Sequence, residues 1–153
     1  MRFLPDPERP VPAPEAERPV WLWMLFASAA TAAFGATLPW LRVKFELLFG
    51  EHMGPPGWHS SAGFTCLFTC LMVAVMALGE TGSATTRQAV RPGSLFLVTV
   101  ACLALALEWW NGPGTLRGVS AQRTLWFYLA CIGVPVLLAT CAVRWAAVRG
   151  RDA

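Results

Sequence analysis

Four long apolar runs, at residues 20–41, 62–78, 94–110 and 124–143, are separated by shorter polar stretches. A helix on the surface of a soluble protein keeps one polar face, and none of these runs has one. With a rise of about 1.5 Å per residue, about 20 residues cross the roughly 30 Å hydrocarbon core of a bilayer, and about 17 suffice. The second and third runs reach that length narrowly and can extend to Trp58 upstream and Gly93 downstream. The pattern predicts an all-α membrane protein, a bundle of four transmembrane helices filling residues 20–148. A Pro-rich tail at 1–19 precedes it, and a short tail at 149–153 follows.

The first run is read as a retained helix. Ala27-Ser28-Ala29 resembles a signal-peptide cleavage site, but the residues before it are Pro-rich and acidic, with Asp6, Glu8, Glu15 and Glu17. A signal peptide has a short basic segment there instead. The tail carries six prolines and no apolar period, the composition of an extended, solvated segment.

Charge supplies the orientation. Four spans place the N-terminus, the connector at 79–93 and the C-terminus on one side, with Arg2, Arg9, Arg18, Arg87, Arg91, Arg144, Arg149 and Arg151. The other side holds Arg42, Lys44, Arg117 and Arg123. Under the positive-inside rule the richer side is cytoplasmic, so both termini are expected in the cytoplasm of a bacterial inner membrane. The tryptophans fit that frame as interfacial belts: Trp21, Trp23 and Trp145 at the inner surface, and Trp40, Trp58, Trp109, Trp110 and Trp126 at the outer, near Tyr128. Composition agrees, at 56% hydrophobic and 14% charged, and a scattered net charge of +3 gives no basic patch for nucleic acid.

Small residues mark packing faces. In the first run, Ala27–Thr31–Gly35 and Ser28–Ala32–Ala36 recur at spacing four, which lets a neighbouring helix approach closely. This helix is expected at the centre of the bundle or at an oligomer interface. Pro39 is expected to bend or end it, and Gly133 with Pro135 to kink the fourth span. In the first outer loop, Val43, Phe45 and Leu47 alternate with Lys44, Glu46 and Leu48, a strand pattern; an amphipathic helix over 42–49 is the alternative. Gly54-Pro55-Pro56-Gly57 forces a turn. Residues 115–119 of the second outer loop follow the turn Asn111-Gly112-Pro113-Gly114 and are expected to pair with the first strand, capping the bundle with a β-hairpin-like unit. Residues 79–93 read as a plain connector.

Chemistry-bearing residues are few. Glu108 is the one acidic side chain inside a span, about a turn from its outer end. Two roles fit it: a cation-binding carboxylate, or an anchor salt-bridged to Arg42, Lys44, Arg117 or Arg123. His52, His59 and Glu51 are weak metal candidates, since Gly-Pro-Pro-Gly interrupts their spacing. No metal and no cofactor is expected. The five cysteines, Cys66, Cys70, Cys102, Cys131 and Cys141, form no Cys-x-x-Cys and lie within spans as small apolar residues; pairing of Cys66 with Cys131 stays open. No nucleophile, base or phosphate loop is recognisable, so an enzyme is not expected.

Leu38-Pro39-Trp40 closing the first helix, Gly57-Trp58 ending the outer loop, and a Gly- and Trp-containing start of the last helix resemble a diffuse group of uncharacterised small bacterial four-span membrane proteins. That resemblance covers the whole layout and implies no activity. The function expected from these features is a non-enzymatic accessory or scaffold subunit whose partners are the lipid bilayer and other membrane subunits or further copies of itself. A homo-oligomeric channel with Glu108 near a cation entrance is the alternative.

Overall fold

A computed structural model describes residues 18–45, 50–79, 84–113 and 119–152. The Pro-rich tail through residue 17 and the segment 115–118 lie outside the described residues. Helix α1 spans Arg18–Thr37 and stops before Pro39, because the ring of a proline disfavours helical geometry in the residue ahead of it. Helix α2, Ser61–Gly79, starts on a capping serine: Ser60 Oγ accepts from the Gly63 amide at 3.0 Å. Helix α3 runs over Ala84–Asn111 and ends at Gly112, whose φ of 70° few other residues adopt. Helix α4 spans Leu125–Asp152. All four are long and apolar enough to cross a membrane, over Val20–Thr37, Ser61–Leu78, Val90–Asn111 and Leu125–Ala147. The chain is an integral membrane protein by that criterion.

Each helix packs against its sequence neighbours, and α1 closes the ring against α4, the most extensive of the four contacts. That seam has a simple cause. A Cβ on Gly35 would stand 2.8 Å from the Ala130 amide nitrogen, and one on Gly133 would stand 2.7 Å from that of Ala32. Two glycines, one on each helix, bring the backbones together. In a bilayer such packing replaces the hydrophobic effect as the force between helices. The centre is filled by small and medium side chains, among them Ala29, Ala32, Ala36, Val73, Val98, Ala101, Ala130, Val134 and Leu137.

Three strands cap one end of the bundle, here called the sheet end. They are β1 (Leu41–Phe45), β2 (Glu51–Met53) and β3 (Val119–Arg123), antiparallel in the order β2-β1-β3. Lys44 stands opposite Glu51 and Ser120, and Leu41 opposite Arg123. Gly50, at φ 90°, lies just ahead of β2. A short 3-10 turn, Gly57–His59, leads into α2.

Several expectations need correction. The cap is a three-stranded sheet, and the strand from the second loop is Val119–Arg123, beyond the 115–119 stretch expected to pair. Its Thr124 amide then donates to the Trp40 carbonyl at 2.9 Å, so the strand continues directly into α4. Residues 84–93 are not a connector: α3 begins at Ala84 and passes through Pro92. Proline deletes one amide bond, and water near a helix end can satisfy the carbonyl left behind. The C-terminal tail is helical as far as Asp152. Helix α4 contains Pro135.

Candidate functional site

Trp40 is the keystone of the sheet end. The chain turns inward after Pro39, and the Trp40 ring is 4% exposed. Its Nε1 donates to the Gly35 carbonyl at 2.9 Å, and its ring meets Phe127 edge-on at 5.1 Å. Trp40, expected in the outer belt, is buried inside the protein. An indole with its N–H satisfied inside the protein has no need of the headgroup zone. The other seven tryptophans, Trp21, Trp23, Trp58, Trp109, Trp110, Trp126 and Trp145, are exposed or partly so. Trp126 meets Phe34 edge-on at 5.7 Å.

The loops lock around Trp40. The Gly57 amide donates to the Leu38 carbonyl at 2.9 Å, the Gly54 amide to Leu41 at 2.8 Å, and Thr124 Oγ1 to the carbonyl of Pro39. Pro39 and Pro56 form an isolated bridge between the two loop ends. A half-open cavity of about 260 Å³ remains between these loops and the end of α3. Trp40, Pro56 and Phe127 supply apolar wall; Glu108, Arg123 and His59 supply its ionisable groups.

Arg123 is held firmly. Its Nη2 donates to the carbonyls of Glu108 at 2.8 Å and Trp109 at 2.7 Å, capping the C-terminal end of α3, where cations are favoured. The guanidinium also lies 4.9 Å from the Trp109 ring centre and 4.7 Å from that of Phe127. Sequence reasoning placed Arg123 near Glu108 as an ion-pair partner; the contact is to the backbone of Glu108 instead. Among the described residues no ion pair reaches the Glu108 carboxylate, which is partly buried.

Arg42 and Lys44, the other described cations expected near Glu108, are engaged elsewhere. Both reach Glu51, at 3.3 Å and 2.7 Å, on one face of the sheet. The Lys44 ammonium bonded to Glu51, aided by the charges of Lys44 and Arg42, holds its carboxyl below the usual carboxylate range. His52 lies on the opposite face of β2 from Glu51, 6.1 Å from the Phe45 ring, and His59 is on the separate 3-10 turn beside Trp58. These three do not converge, and no group of three metal-ligating side chains occurs among the described residues.

The small-residue faces divide. Ser28, Ala32 and Ala36 are buried in the bundle, as is Gly35, while Ala27 and Thr31 point to the outside. All five cysteines are free thiols, Cys66 with its Sγ 3.8 Å from the Ala32 carbonyl. At the far end, the Arg144 guanidinium sits 3.2 Å above the Trp21 ring and that of Arg149 sits 4.0 Å above Trp145. Arg91 and Arg144 line a void of about 20 Å³ there, room for a single water. No protein-family model matches the chain, and neither a curated protein nor a solved structure is similar to it.

Proposed function

We propose that this protein is a non-enzymatic accessory or scaffold subunit of a larger membrane complex. One observation carries the reading. The buried polar residues among those described are Ser28, Thr69 and Thr124. Each hydroxyl is spent on a backbone carbonyl: Ser28 on Met24 and Leu25, Thr69 on Leu97, and Thr124 on Pro39. Among the described residues an interior of this kind offers no polar path, which leaves the outward faces to do the work. Exposed Ala27 and Thr31 on α1 suit close approach by a helix of another subunit. The arginine asymmetry supports placement in a bacterial inner membrane, both termini cytoplasmic and the sheet end outside. Purification in mild detergent from its native membrane is expected to retain a larger partner at fixed stoichiometry. Recovery as a lone monomer overturns this reading.

A second reading, a homo-oligomeric channel, draws on Glu108 at the sheet-end cavity. With an apolar interior, ions would have to pass between subunits. Cation flux into liposomes, lost in Glu108→Gln, is the expected sign, and absence of flux removes it.

A further inference from the structure

We propose that the sheet-end cavity binds a small zwitterion, with an ammonium group on Glu108 and an anionic oxygen group on Arg123. Both charged residues line the same half-open space of about 260 Å³. That is a little below the roughly 300–1,000 Å³ of sites for drug-sized ligands, and suits a headgroup or an amino acid. Opposite charges so placed would ordinarily neutralise each other. Among the described residues no ion pair joins them: Arg123 Nη2 is committed to the carbonyls of Glu108 and Trp109, and its guanidinium is wedged against Trp109 and Phe127. A guanidinium has five N–H donors, and among the described residues no ion pair takes those of Nη1 and Nε, which can meet an anion.

Charge then selects the ligand by elimination. A simple cation entering the cavity meets Arg123, and a simple anion meets Glu108. A molecule bearing both signs satisfies both residues, and the Trp40 and Phe127 walls accept the carbons that join them. The depth is suitable for a lipid. Glu108 precedes the helix end at Asn111 by three residues, about 4.5 Å along the axis. Exposed Trp58, Trp109 and Trp110 ring the same end at the level where indoles meet headgroups. The shared chemistry is that of phosphoethanolamine, which a bilayer lipid carries, or of a free zwitterion such as glycine.

The full chain, purified in detergent, tests this by native mass spectrometry with phosphatidylethanolamine and phosphatidylglycerol of equal chain length. Preferential retention of the ethanolamine lipid, about tenfold, is expected, since the glycerol headgroup has no ammonium for Glu108. Glu108→Gln should bring the two lipids to parity, and Glu108→Lys should reverse the preference. A merely structural role for Glu108 would not reverse it. Circular dichroism of each variant establishes that it is folded, and Asn111→Ala serves as a neighbouring control that keeps the preference. Competition by soluble phosphoethanolamine supports a headgroup site. Binding of free glycine, abolished in Glu108→Gln, with no lipid preference, assigns the site to a soluble zwitterion. Equal retention of both lipids together with no binding of phosphoethanolamine or glycine overturns the proposal.

Discussion

Gly57 has no side chain because the Trp40 ring occupies that space; a Cβ there would overlap the indole. Gly57→Ala is therefore expected to push Trp40 off the Gly35 carbonyl and to cost about 1–3 kcal/mol, seen as a lower melting temperature in detergent. An unchanged melting temperature would mean that Trp40 is not the keystone described above. Single residues also show what the sequence made legible. The exposure of Trp23 and Trp110 is readable because a ring near the end of an apolar span has few neighbours to bury it. Trp40 sits at a span end too, yet is buried, since what decides it is a turn at Pro39 and an acceptor on Gly35. Arg123 was legible as a cation near Glu108 but not as a helix cap, because the carbonyls it takes lie fourteen and fifteen residues earlier and no side-chain pattern marks them.

Among elements, the α1–α4 seam is the most constrained. Gly133→Leu would drive a branched side chain into the Ala32 backbone, where even a Cβ would stand 2.7 Å from the amide nitrogen. It is expected to separate the helices and to lose more than the about 1–3 kcal/mol usual for overpacking, measured by unfolding in mixed micelles. Gly93→Ala meets only Met76, at 3.7 Å, and should be nearly neutral. The pairing of β1 with β2 depends on pH through Glu51. Its folded pKa is lowered, so its stabilising contribution is complete above the ordinary carboxylate range and disappears as pH falls through the lowered folded value. Amide exchange in β1 and β2 should thus accelerate below about pH 4, the range of a free glutamate, and Glu51→Gln should remove that acid-dependent part. The effect is small, because the pair is exposed to solvent. The hydrophobic period revealed the four helices and the strand at β1, but not β2, whose three residues are too few to show alternation. It also started α3 at Ser94, because an apolar window cannot register the polar turns with which the helix begins ahead of its proline.

For the whole molecule, the described helices place Arg18, which opens α1, and Asp152, which ends α4, at the end of the bundle away from the sheet. Alkaline phosphatase inserted after Gly50 and a second fusion at the C-terminus should report opposite sides of the membrane. Activity from both positions would contradict a four-span topology. The ring of helices was foreseeable from four runs and short connectors, whereas the sheet that ties the loops together depends on residues far apart in the chain. That sheet also sets a timetable for biogenesis. β1 leaves the ribosome early but has no full set of neighbours until β3, pairing Leu41 with Arg123, has been made. Until then β1 has a free flank open to other chains, so the newly inserted α1–α2 pair passes through a vulnerable interval. Truncation ahead of β3 should accordingly yield a protein that inserts yet is drawn into aggregates or degraded, and the last strand acts as the clasp that signals completion.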